Sequence, residues 1–249
     1  MAFKNSDIYS LCRYLVNKEQ RSGYMNIDDF NLNSKMANVV LLKEKLGLSN
    51  DYNLGAPISR RQKGLSTIAD DQVIQFKKKQ NISFSSGIGS LPNDYFRYES
   101  ARVSGAYEPV EMLNSSEMSR RLNNAIDTPD AYFPAAEIIG SSMYIYPTTI
   151  TTATLIFYRY PVTPVTDFYI DANGEIIILE EGATHLLASG ETGSAGQTAG
   201  TTVTSLTVEH EWSADCAIEM AWIILKNMGV NTSRADVFQV ADKIQKEGA

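Results

Sequence analysis

The stretch Ser142–Val165, SMYIYPTTITTATLIFYRYPVTPV, constrains the fold more than any other part of the chain. It is dense in β-branched and aromatic residues, which fit a pleated, half-buried surface. Met143–Tyr146 reads as one strand and Thr151–Tyr160 as its partner, on either side of Thr148-Thr149. Along the second arm Ala153, Leu155 and Phe157 point one way, while Thr152, Thr154, Ile156 and Tyr158 point the other. Pro147 closes the first arm, and Pro161 and Pro164 close the second. A proline cannot donate to the ladder, so it sits where pairing ends. The expectation is a hairpin at the centre of a sheet, covered by the rest of the chain.

Helical patterns flank this strand-rich middle. Ile8, Leu11, Cys12 and Leu15 form an i, i+3, i+4, i+7 stripe over Ser6–Gln20, with Asn5 or Ser6 as cap and Gly23 as stop. Asn26 with Asp29 three residues on predicts a capping-box variant at the next helix. That helix carries Phe30, Ala37, Val40 and Leu41 on one face, widened by Leu32, Met36 and Val39, and Gly47 follows it. The two helices form a helical hairpin. Near the C-terminus, Ser213 caps a helix running to Met228, apolar on two faces through Ala217, Met220, Ala221, Ile224 and through Ile218, Trp222, Leu225. Gly229 ends it, and Ser233 opens a last helix with Val237, Val240, Ala241 and Ile244 inward.

Between these ends, Asp51–Gly64 reads as a loop holding Arg60, Arg61 and Lys63, and Asn81–Ser90 reads as another. Asp70–Lys79 is ambiguous between helix and strand, and its Lys77–Lys79 run reads as a solvated strand end rather than a phosphate contact. Tyr95–Val103 and Phe133–Ile139 read as strands. Asn114 with Glu117 predicts a capped helix to Asn124. Asp171-Ala172-Asn173-Gly174 predicts a tight hairpin between Phe168–Ile170 and Glu175–Leu179. Ala188–Thr202, ASGETGSAGQTAGTT, is too small and polar to bury anything and reads as a long mobile hairpin loop. Grouped rather than alternating elements give an α+β fold. The expectation is a single subunit, 1–249, in which helices from 1–65 and 210–249 pack around a mainly antiparallel sheet or sandwich, 66–209, with a flexible loop at 188–202.

Composition narrows the function classes. No apolar run approaches the roughly 20 residues a membrane helix needs, and MAFKNSDIYS lacks the apolar core of a secretory signal. Cys12 and Cys216 lie far apart with no metal-ligand spacing and read as reduced, buried thiols of a protein made in a reducing cytoplasm. A net charge of −7 argues against wrapping nucleic acid through a general basic surface.

No catalytic constellation emerges. His185 and His210 are the only histidines, and His210-Glu211 does not continue into a zinc-protease motif. Cys216 lies within an apolar helix, where a thiol is inert. The glycine-rich loop fails as a phosphate cradle: Gln197 stands where a lysine belongs, and Glu191 where the leading glycine belongs. Acidic pairs such as Asp28-Asp29, Asp70-Asp71 and Glu180-Glu181 sit at caps or turns. Neither cofactor nor metal is expected. Thirteen tyrosines offer large contact area with a polar tip, suited either to sheet packing or to a protein–protein surface. The candidate interface residues are Tyr144, Tyr146, Tyr158, Tyr160, Gly190, Gly193, Gly196, Trp212 and Trp222.

Three stretches together carry a resemblance: Leu91-Pro92-Asn93-Asp94-Tyr95, the Tyr144–Pro147 to Phe157–Pro161 hairpin, and the closing helices from Trp212 to Ile244. The chain resembles head-to-tail connector proteins of tailed bacteriophages, most of all the neck ring proteins of crAss-like phages. More distantly it is similar to tail-tubular and portal-adaptor proteins of short-tailed phages. The likeness covers most of the chain and rests on element order and strand character. It implies a virion structural protein of the neck, made in the host cytoplasm, with no catalytic residues. The implied partners are further copies in a closed, usually dodecameric ring, the portal, adjacent neck or tail rings, and genomic DNA passing non-specifically through the channel, with no membrane. An acidic lumen would let DNA slide, whereas a basic one would hold it. Two other readings stand beside it: a receptor- or carbohydrate-binding β module, and a hydrolase built from scattered carboxylates.

Overall fold

The computed structural model describes residues 4–18, 25–46 and 72–227. Among the described residues, four helices and several mainly antiparallel sheets make the fold α+β. The expected turn at Gly23, stop at Gly47, 51–64 loop with its three cations, and last helix after Gly229 lie outside the described residues. Two compact units are present. One is continuous, 73–160; the other joins the N-terminal helices to 161–227.

The continuous unit is built from two sheets. After a short 3-10 turn, Ile74–Phe76, come β1 (Lys77–Ser83), β2 (Ile88–Ser90), β3 (Tyr95–Arg102) and β4 (Glu111–Met112). The strands continue with β5 (Ala135–Ile139), β6 (Ser142–Tyr146) and β7 (Thr152–Arg159). One sheet has the order β1-β7-β3, the other β2-β6-β5-β4 with β4 parallel to β5. The expected central hairpin is therefore not formed. Its arms, β6 and β7, lie in different sheets, joined by 147–151, with the Tyr146–Pro147 peptide cis. Composition marked both arms as half-buried, and both are: Met143 and Ile145 from one sheet, Ala153, Leu155 and Phe157 from the other, enter one core. Pairing partners are set by the connection, which here carries the chain across the core instead of back along the same sheet.

The expected 81–90 loop is also largely strand. β1 runs on to Ser83, and Ser86-Gly87 turn it into β2 with both φ values positive (51° and 79°). Ser85 and Ile88 exchange backbone hydrogen bonds around that turn, which is the primed geometry tight hairpins favour. Gly89 is required by packing: a Cβ there would lie 2.7 Å from Ile82 and 2.8 Å from Phe84. In β3 two register shifts put Phe96 and Glu99 out of phase with β7, so the residues facing the core are Tyr95, Tyr98 and Ala101, three apart instead of two. Helix α3 (Ser115–Leu122) starts with the expected capping box: Asn114 accepts from the Glu117 N–H, and the Glu117 carboxylate accepts from the Asn114 N–H. Met118 is buried and Leu122 is not.

The second unit contains α1 (Asn5–Lys18), α2 (Ile27–Lys45), β8 (Asp167–Ile170), β9 (Ile176–Leu179), β10 (Thr184–Leu186), β11 (Thr192–Gly193), β12 (Thr202–Thr204) and α4 (Ala214–Asn227). Both N-terminal helices pack against α4. The buried stripe of α1 is Ile8, Tyr9, Cys12 and Val16, turned slightly from the expected one, with Leu11 and Leu15 half-buried. On α2 the buried set is Ile27, Phe30, Ser34, Ala37, Asn38, Leu41 and Leu42, while Leu32 and Met36 face outward. Asn26 occupies the cap position of α2 but makes no side-chain cap bond. The 171–174 hairpin forms as expected, with β8 and β9 antiparallel. The segment 188–202 is not one free loop. It is bracketed by the β10–β12 pair and contains β11, which pairs with β8.

Candidate functional site

The nine candidate interface residues are divided between the two units, the four tyrosines in 73–160 and the glycines and tryptophans in the other. Tyr144 and Tyr146 are half-buried on β6, and Tyr158 lies on β7 in the other sheet. Tyr160, just past β7, is exposed and meets Phe96 edge to face at 4.8 Å. Trp212 is a core residue of the second unit, donating its indole N–H to Asn38. Trp222 is half-buried on α4, beside an outward Ile218. Among the glycines, Gly193 is buried in β11, while Gly190 and Gly196 are exposed turn positions with positive φ.

The 188–202 segment owes its order to side chains that reach it. Asp167 accepts from Ser194 Oγ at 2.5 Å and from the Leu206 N–H at 3.0 Å. Glu191 accepts from the Ala188 N–H and lies 2.8 Å from His185 Nε2. Those two contacts, in that order, hold the Glu191 carboxyl below its usual range. The His185 ring stacks on Tyr169 at 4.1 Å. The arrangement orients His185 between Glu191 and Tyr169. Cys12 is fully buried and its thiol is pushed up to about 12 by that burial; burial also raises Cys216. Both are inert thiols by the usual criterion of thiolate character. Among the described residues no group of three or more His, Cys, Asp or Glu could hold a metal ion, and no helix is long and apolar enough to cross a membrane.

Two surfaces of the continuous unit stand out instead. The first is aromatic. Tyr107 is 75% exposed and stacks on Tyr132 at 4.9 Å with planes 15° apart, and Phe133 lies 6.0 Å from Tyr107. The backbone holds this group in place: the Tyr107 N–H donates to the Tyr132 carbonyl, and Asp130 Oδ1 accepts from the N–H groups of Tyr132 and Phe133. The buried Pro129 and Pro134 bracket it. These rings escaped the sequence reading because they lie in irregular segments; aromatics among Gly, Pro and Asp were the signal available.

The second surface is basic. The outward residues of the β1-β7-β3 sheet form cross-strand rows: Lys77–Tyr158–Arg97, Lys79–Ile156–Ser100 and Asn81–Thr154–Arg102. Lys77 lies 2.7 Å from Glu99 and 5.5 Å from the centre of the Tyr158 ring, and the Glu99 contact foremost raises its pKa. Lys79 and Arg102 have no carboxylate partner among the described residues. They flank an open hollow of about 480 Å³, lined also by Ser100, Ser104, Thr154 and Ile156.

The sequence matches no protein-family model and shows no significant similarity to any curated protein.

Proposed function

We propose that the chain is a virion structural subunit that assembles as a closed ring in the neck of a tailed phage, connecting the portal to the tail around the DNA channel. The observation that supports an assembly role is the exposed, backbone-held group Tyr107, Tyr132 and Phe133. Rigid tyrosines supply contact area at little cost in side-chain entropy, and aromatic residues are enriched at protein–protein surfaces. The neck position, the dodecameric number and the portal and neighbouring rings as partners come from the resemblance to connector proteins. Light scattering and negative-stain imaging of the purified chain test this reading. Rings, or an equilibrium between subunit and large closed oligomer, are expected, and Tyr107→Ser with Tyr132→Ser shifts the balance toward subunits. A wild-type chain that stays monomeric at every concentration sinks it.

The same aromatic group favours a second reading, a carbohydrate-binding β module. Its rings stand beside Glu108 and Asp130, and aromatics exposed next to polar groups are what sugar stacking needs. Glycan binding by a monomer, abolished in the same double variant, would select it.

A further inference from the structure

We infer that the basic face of the β1-β7-β3 sheet is the surface on which the acidic strand region of a neighbouring copy docks, head to tail. The inference rests on the ring reading and deepens it by naming the two surfaces in contact.

Charge is segregated along this chain. Residues 73–160 carry eight Lys and Arg against eight Asp and Glu, so the net charge of −7 belongs to the remainder. Residues 161–227 carry ten Asp and Glu against Lys226 alone, with no Arg. Within the neutral unit the cations are not spread evenly. Lys77, Lys79, Arg97 and Arg102 all stand on one sheet face, where Glu99 pairs with Lys77. Exposed acids stand at both ends of β9, Glu175 and Glu181, with no cation partner among the described residues.

The symmetry of the contact follows from this division. An isologous dimer through the basic face would set Lys79 and Arg102 against their own copies, and like charges brought together repel. A heterologous contact sets the basic face of one copy against the acidic strands of the next, and a heterologous contact whose rotation closes makes a ring. The hollow between Lys79 and Arg102, with hydroxyls of Ser100, Ser104 and Thr154 along it, offers charged and neutral donors to a carboxylate. Burying these cations between subunits also takes them away from the channel, where they would bind DNA phosphates and hold the genome.

Sedimentation velocity of the full chain tests the inference, with circular dichroism to verify each variant's fold. Wild type associates, and at least tenfold less tightly as salt rises from about 0.05 to about 0.5 M. K79E/R102E and E175K/E181K each sediment as subunits. Mixed in equal amounts they associate again, because every contact in an alternating assembly regains opposite charges. A wild-type oligomer that K79E/R102E leaves intact overturns the inference and spares the ring reading. A mixture that does not reassociate also overturns it. A strictly monomeric wild type overturns both. Binding of a short DNA duplex that K79E/R102E abolishes, with self-association unchanged, assigns the face to nucleic acid and overturns the docking surface.

Discussion

The strands of the two units of this chain are fastened by different means. In 73–160, twelve buried apolar residues from both sheets form one core, and partly buried Tyr95, Tyr98 and Ile138 pack against it. In 161–227 the strands share only Leu179, Leu187 and Val203, with Tyr169 beside them. Polar side chains supply what the apolar ones do not. Asn5 donates to the Val165 and Val208 carbonyls, Asn31 exchanges two bonds with Thr166, and Thr207 Oγ1 bridges the Asp167 N–H to the Leu179 carbonyl. Burial is non-directional and tolerates adjustment, whereas a hydrogen bond left unmade inside costs the desolvation of its orphaned partner. The strands of the first unit are held by volume and those of the second by pairing.

The largest expected effect tests the apolar half of this contrast. Leu155 is fully buried at the centre of β7, so Leu155→Ala removes its transfer energy and leaves a cavity, at about 2–5 kcal/mol. Hydrogen exchange reads the effect strand by strand. Protection of β1, β3 and β7 amides should fall by roughly 30-fold or more, at about 1.4 kcal/mol per factor of ten, and that of β8 and β9 should fall less. Equal losses in both sets would show one cooperative structure and dissolve the contrast. Tryptophan fluorescence gives an independent reading of the second unit, since Trp212 and Trp222 are the only tryptophans.

The polar half predicts a loss from a residue that contributes almost no apolar area. Asp167 is 7% exposed and accepts from Phe168, Ser194 and Leu206. Asp167→Ala leaves those donors without it and should cost about 1.5–3 kcal/mol, the range for hydrogen bonds to a charged group. The tryptophan-monitored denaturation midpoint falls, and the 188–202 segment becomes cleavable by a low-specificity protease. A variant as stable and as resistant as wild type would show that the segment holds its place through backbone turns alone.

The same contrast explains what the sequence disclosed. Alternation in Thr152–Arg159 announced the burial of Ala153, Leu155 and Phe157, because volume-based packing leaves a period in the sequence. The tight turn at 171–174 was equally plain, since Asn-Gly chemistry is local. Which strand β7 pairs with was not plain, because two half-buried strands can face each other across a core as well as lie side by side. Polar pinning was invisible. Asn31 and Asn38 interrupt the apolar stripe of α2, yet they are the residues that grip the extended chain at Thr166 and Val162. Ala188–Thr202 reads as unstructured because its anchors, Asp167 and Thr201 pairing with Leu187, depend on residues elsewhere or on backbone groups that carry no sequence pattern. The aromatic surface was missed for a related reason: Tyr107 and Tyr132 meet through a fold-level contact between two irregular segments.

The smallest effect sharpens the comparison at single positions. Asn114 and Asn26 are both asparagines at the start of a helix, and sequence alone gives them the same role. Asn114 caps α3 through its side chain in a reciprocal box with Glu117, whereas Asn26 makes no such bond at α2. Both have the extended backbone of a cap residue, with φ of −79° and −77°, so the difference lies in the side chain. Asn114→Ala should therefore cost about 1 kcal/mol, the usual loss when a capping side chain is truncated, and Asn26→Ala should cost a few tenths at most. Urea denaturation of the two single variants, followed by circular dichroism, separates them. Equal losses would mean that Asn26 does bond its helix in solution, and that α2 is held at its start as α3 is, by local pairing as well as by the buried Ile27 and Phe30 beneath it.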